Sequence, residues 1–82
     1  MSTDDFNKLF GQYIREKRKQ RGLTIEELAL EVGVAFSTIQ RIEQGSMPTN
    51  STICKLVVIL DLTDIHLKYL ELYDSLDQDI ND

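Results

Sequence analysis

Glycines at 22, 33 and 45, eleven and twelve residues apart and followed by Pro48, cut the chain into short segments and constrain the fold more than any other feature. Each glycine closes a stretch of helical periodicity and supplies the left-handed residue on which a helix stops. In the first segment Phe6, Leu9, Phe10, Tyr13 and Ile14 share one helix face, with Lys8, Gln12, Arg15 and Lys19 largely elsewhere. The second opens at Thr24, whose hydroxyl can cap the helix while Glu27 reaches back, with Leu23 and Leu28 at the positions of a hydrophobic staple. It runs through Leu28, Ala29 and Val32 to Gly33. A few residues later Ile39 and Ile42 mark the core side of another short helix that stops at Gly45. A loop with Pro48 leads to a fourth helix, capped by Thr49 or Asn50, with Ile53, Leu56, Val57 and Leu60 inward. Thr63 caps a fifth, with Leu62 and Leu67 as its staple. The spacing predicts an all-α domain.

The fifth segment carries more apolar face than one small core absorbs: Ile65, Tyr69, Leu72 and Leu76 form a stripe that Leu67, Leu70 and Tyr73 extend. Ile65, Tyr69, Leu72, Tyr73 and Leu76 are therefore read as a homodimer surface, against the alternative of a helix folded back on its own core. The reading divides the chain into a domain over residues 1–73 and an acidic, frayed tail over 74–82.

With 82 residues there is room for a single modest core. The longest apolar run, Leu56 to Leu60, is far short of the roughly 20 residues of a membrane-spanning helix, and no stretch near the start resembles a signal peptide. A cytoplasmic protein with no membrane partner is the expectation. One cysteine and one histidine leave no intramolecular disulfide and too few soft ligands for structural zinc, so no metal or cofactor is expected. Phosphate-loop and HExxH patterns do not occur, and no nucleophile has an evident base, which disfavours an enzyme with catalytic residues. The net charge of −5 hides an uneven distribution. Residues 1–21 hold six basic against three acidic side chains, whereas residues 61–82 hold one against seven. Cys54 reads as a small buried hydrophobe and His66 as a first-turn residue where the helix dipole disfavours a proton.

The run LTIEELALEVGVAFSTIQRIEQG over residues 23–45 resembles the phage repressor and Cro-like, or XRE-type, helix-turn-helix family, and the resemblance extends over roughly residues 5–60. Its spacings have mechanical meaning: small Ala29 where two helices cross, Gly33 at the sharp turn, and Val34, Ile39 and Ile42 locking the second helix. The resemblance implies a compact five-helix lambda-repressor-like DNA-binding domain. It further implies that residues 36–44 form a recognition helix in the major groove while residues 24–32 cross the phosphate backbone. Positions that contact bases in this family hold Phe36, Ser37 and Arg41, with Gln40 and Thr38 close by. Arg41 is suited to guanine, because a guanidinium gives two parallel bonds to O6 and N7, and Phe36 to a thymine methyl or a sugar edge. A core role for Phe36 is the alternative, but Val34, Ile39 and Ile42 already fill the inward positions. Ser37 also fits a capping box with Gln40; if it rather than Ala35 caps the helix, Phe36 falls just outside and the contacts shift. Thr24 and Ser46, with nearby backbone amides, are the expected phosphate contacts. Arg18 and Glu43 match the family's partly buried ion pair, which orients the reading helix. Two departures remove polar contacts: Ile25 stands where the family often has Gln, and Ala35 where it has a Ser or Thr cap.

One short helix reads few base pairs, so the implied function is a sequence-specific transcriptional regulator that binds a palindromic operator in double-stranded DNA as a homodimer. Small standalone repressors and restriction-modification controller proteins are similar. RNA polymerase is a candidate partner. An antitoxin-like module, whose acidic end masks a basic toxin and which binds DNA secondarily, is the alternative.

Overall fold

In a computed structural model of the chain, residues 3–64 and Leu67 are described. Four helices occur among them: α1 (Thr3–Gln20), α2 (Ile25–Val32), α3 (Phe36–Glu43) and α4 (Asn50–Ile59), with no strand. The all-α class therefore stands. The fifth helix falls almost entirely outside the described residues: Leu67 alone is described there, helical and exposed while Leu62 is buried. Ile65, Tyr69, Leu72, Tyr73 and Leu76, the expected dimer surface, also lie outside them, as do His66 and the acidic tail.

Each helix ends the same way. After α1, α2 and α3 the chain enters positive φ at Gly22 (71°), Gly33 (81°) and Gly45 (114°). The next amide then turns back to a carbonyl five residues earlier, Leu23 to Arg18, Val34 to Ala29 and Ser46 to Arg41. After α4 the left-handed residue is Asp61 (φ 52°), and Leu62 bonds back to Val57 in the same pattern. This is the Schellman closure, which satisfies carbonyls that the helix leaves unpaired. Aspartate is among the few residues other than glycine that enter this region at modest cost.

Phe10, Tyr13 and Ile14 of α1, Leu28, Ala29 and Val32 of α2, Ile39 and Ile42 of α3, and Leu56, Leu60 and Leu62 around the end of α4 form one buried core. Phe6 and Leu9, expected on the same α1 face, are only half-buried. The inward row of α4 differs from the one expected. Its buried positions are Thr52, Leu56 and Leu60, four residues apart, while Val57 and Ile59 pack partly against the core and Ile53 stays at its margin. Cys54 is exposed rather than buried. The reason is angular: two residues from Leu56, Cys54 points about 200° around the helix, away from the core, and Val58 beyond it is 78% exposed. Thr52 tolerates burial because its hydroxyl accepts a bond from that of Thr49, at 3.1 Å. Of the two candidate caps of α4, Thr49 does the capping, accepting from the Thr52 amide at 3.3 Å.

A further tie joins α1 to the chain after α4. The Tyr13 hydroxyl donates to Asp64 Oδ1 at 2.7 Å, and Lys17 Nζ lies 3.0 Å from Oδ2. The tyrosine bond, with the ammonium beside it, holds the Asp64 carboxyl below the usual carboxylate range. No sequence signal marked this contact, because its partners are 51 residues apart.

Candidate nucleic-acid interface

The turn between α2 and α3 spans three residues. Gly33 and Val34 both donate to the Ala29 carbonyl, at 2.8 and 3.0 Å, and Ala35 then adopts extended backbone (φ −71°, ψ 152°) as the cap of α3. Ala35, not Ser37, is therefore the cap, and it contributes no side-chain bond to the helix start. Replacing Ala35 with serine adds that bond on a backbone already suited to it. The expected result is a gain of about 0.5–2 kcal/mol in a urea titration, and an unchanged midpoint would show that the first-turn amides already have partners.

With the helix start settled, Phe36 is its first residue and is 48% exposed. Ser37, Gln40 and Arg41 are also exposed, Thr38 is half-buried, and Ile39 and Ile42 are buried on the opposite side. Four of the eight residues of α3 thus present polar or aromatic groups away from a closely packed inner face. Arg41 does not trail freely. Its Nε donates to the Ser37 carbonyl at 3.2 Å, which folds the side chain along α3 toward the helix start. Its two terminal nitrogens have no partner among the described residues, so the pair remains available for a parallel two-bond contact.

The orientation of α3 is set by α1. Arg18 is buried, and its guanidinium makes a two-bond pair with Glu43, Nε to Oε2 at 2.7 Å and Nη2 to Oε1 at 3.2 Å, while Nη1 donates to the Leu23 carbonyl at 2.7 Å. One side chain of α1 therefore holds both the end of α3 and the approach to α2. A second contact, which the sequence reading missed, lies at the middle of α1. Gly11 is buried against the backbone of α3, and a Cβ built there would collide with the carbonyl oxygens of Ile42 and Glu43. A glycine inside an otherwise helical pattern is the available signal for such a close approach.

Other expected contacts are placed less simply. At the start of α2 the capping box is complete, with Thr24 Oγ1 accepting from the Glu27 amide and Glu27 Oε1 accepting from the Thr24 amide, both at 3.0 Å. The bond from the Thr24 amide, and after it that from the Thr24 side chain, holds the Glu27 carboxyl below its usual range. The amides of Ile25 and Glu26 remain as donors, but an approaching phosphate also meets the exposed Glu26 and Glu27 carboxylates. Ser46 is exposed, and its amide is committed to the Arg41 carbonyl at 2.9 Å, leaving its hydroxyl. In the basic run over residues 15–21, Arg18, Lys17 and Arg21 face acidic partners, Glu43, Asp64 and Asp61 (the last at 3.8 Å), whereas Arg15 and Lys19 stand exposed. No helix among the described residues is long and apolar enough to cross a membrane.

Comparison with known proteins points to the same segment. A helix-turn-helix family model matches residues 14–67, which takes in α2, the glycine turn and α3. The HTH-type transcriptional regulator RghRB of Bacillus subtilis is 43% identical over 53 residues, covering 62% of this chain and 38% of that protein. A protein of Archaeoglobus fulgidus bearing the name of an HTH-type transcriptional regulatory protein is 32% identical over 75 residues, covering 92% of this chain and 24% of its own length. The chain thus spans well under half of the length of either relative. No solved structure matches it. The family match spans both helices and the turn between them, and the chain belongs to the XRE-type helix-turn-helix family of DNA-binding transcriptional regulators.

Proposed function

We propose that this domain is a sequence-specific regulator that binds a palindromic operator as a homodimer, with α3 in the major groove. The observation that carries the reading is the division of α3 into a buried Ile39 and Ile42 side and an exposed side bearing Phe36, Ser37, Gln40 and Arg41. Arg41 serves as the guanine contact through its terminal nitrogens, Phe36 meets an apolar edge, and Ser37, Gln40 and Thr38 supply shorter polar contacts. The hydroxyls of Thr24 and Ser46 position the phosphate backbone, and Arg18 and Glu43 orient the reading helix. Two domains related by a twofold axis read half-sites about 34–36 Å apart. Ile65, Tyr69, Leu72, Tyr73 and Leu76 supply the apolar side chains of that dimer contact. Occupancy of the operator then blocks or recruits polymerase without chemistry on the DNA.

The test is selection of bound duplexes from a random pool at two salt concentrations, with the native chain and with Arg41→Ala. A palindrome should be recovered, and its guanine preference should fall about 5- to 150-fold in the variant, the equivalent of one bidentate contact. Because Arg41 is exposed, the variant should melt with the native protein. No enrichment at either salt would overturn the reading and favour a protein-binding, antitoxin-like role.

A further inference from the structure

The first residue of the exposed α3 face poses a question that the DNA reading, on which this inference rests, leaves open. Phe36 is an exposed aromatic, whereas Phe10 and Tyr13 are buried in the core and Phe6 is half-buried. Its ring is not needed inside, since Val34, Ile39 and Ile42 occupy the inward positions around it. Around it stand exposed polar groups: Ser37 next to it and Gln40 one turn further on the same row of the helix. The Arg41 side chain is tied back to the Ser37 carbonyl on the neighbouring row.

A phenyl ring has neither a donor nor an acceptor for the pattern that distinguishes base pairs in the major groove. The apolar group offered there is the C5-methyl of thymine. A methyl group at C5 of cytosine occupies the same place. The exocyclic groups beside it differ, an oxygen acceptor on thymine and an amino donor on cytosine, but the ring bonds to neither. Gln40, the polar neighbour on that row, carries both a donor and an acceptor and so can meet either. We infer that the half-site position facing Phe36 is read through its pyrimidine C5-methyl group. At that position 5-methylcytosine substitutes for thymine, and the affinity of the regulator responds to cytosine methylation of its operator.

The test uses the operator recovered by selection and the full chain. Each thymine is replaced in turn by deoxyuridine, which removes one methyl, and each T·A pair by C·G with and without a 5-methyl group. At one position per half-site, loss of the thymine methyl should weaken binding about fourfold, the transfer free energy of one methyl group expressed as a ratio. Methylation of cytosine there should restore the same factor. Phe36→Ala should abolish both differences while keeping the guanine preference that depends on Arg41. The variant removes an exposed ring, and the deoxyuridine series on the native protein needs no variant at all. Absence of any methyl-sensitive position, or a methyl effect undiminished in Phe36→Ala, would overturn the inference and leave the DNA reading standing. Failure to recover any operator would overturn both.

Discussion

Glu43→Ala is expected to destabilise the domain by about 3–5 kcal/mol in a urea titration, the range for breaking one side of a desolvated ion pair. The side chains of Arg18 and Glu43 are only 10% and 6% exposed, so solvent does little to screen either charge. Removing the carboxylate leaves the Arg18 guanidinium inside the protein with the Leu23 carbonyl, at 2.7 Å, as its one remaining partner among the described residues. Arg18→Met should cost a similar amount, because it strands the Glu43 charge instead. The double variant Arg18→Met, Glu43→Leu should recover much of the loss, since an apolar pair of similar volume carries no desolvation penalty. With the single Glu43→Leu variant closing the double-mutant cycle, a strong coupling energy between the two sites is therefore expected. A loss below about 1 kcal/mol in either single variant would mean that the pair is solvent-screened in solution, like an ordinary surface bridge. Operator affinity in the double variant separates stability from orientation: restored stability with weakened binding is the expected result if the pair aims α3.

Gly11→Ala should also destabilise, by about 1–3 kcal/mol, against the usual sign of the substitution. In an ordinary helix interior, replacing glycine with alanine stabilises by roughly 0.5–1 kcal/mol, because the unfolded chain loses conformational freedom. Here the new Cβ meets the carbonyl oxygens of Ile42 and Glu43. Those are backbone atoms near the end of α3, so no side chain can rotate away and the two helices must separate. Gln12→Ala, at the exposed neighbouring position, is the control and should be neutral or slightly stabilising. Thermal melts of the two variants side by side test the claim, and a more stable Gly11→Ala would refute the close approach. Gly11 and Arg18 both act on the end of α3 through Glu43, so combined variants should depart from additivity.

Much of the architecture was legible in the amino-acid order, for an identifiable reason. Gly22, Gly33 and Gly45 all have positive φ, and Thr24 with Glu27 forms the expected capping box. The core faces of α2 and α3 follow their periodicity, and Phe36 is exposed as the filled inward positions implied. Every one of these features depends on residues within about five positions of one another, the range over which backbone geometry and helical spacing act. The register of α4 was less legible. Ile53, Leu56, Val57 and Leu60 and the observed Thr52, Leu56 and Leu60 describe stripes half a turn or less apart, and an apolar segment of this kind does not by itself say which edge faces inward. Packing chose the row that includes a threonine and left Cys54 and Val58 in solvent.

The pairings between distant parts of the chain belong to the tertiary structure. Periodicity places Tyr13 on the core face of α1, but its bond to Asp64 exists only because the turn after α4 returns the chain to α1. Gly11 is a weak helix former until the α3 carbonyls lie against it, and it then becomes the residue that lets the two helices meet. Arg18 is one of five basic residues in a row of seven, and nothing local separates it from Arg15 or Lys19; family resemblance pointed to Glu43, and the fold brings the pair together. Local sequence determined where the helices start and stop and which of their faces are apolar, because those preferences are decided within a turn or two of backbone. Which helix faces which, and hence which charge is buried and which glycine is indispensable, was decided only when surfaces far apart in sequence closed around one core and excluded water from the contacts between them.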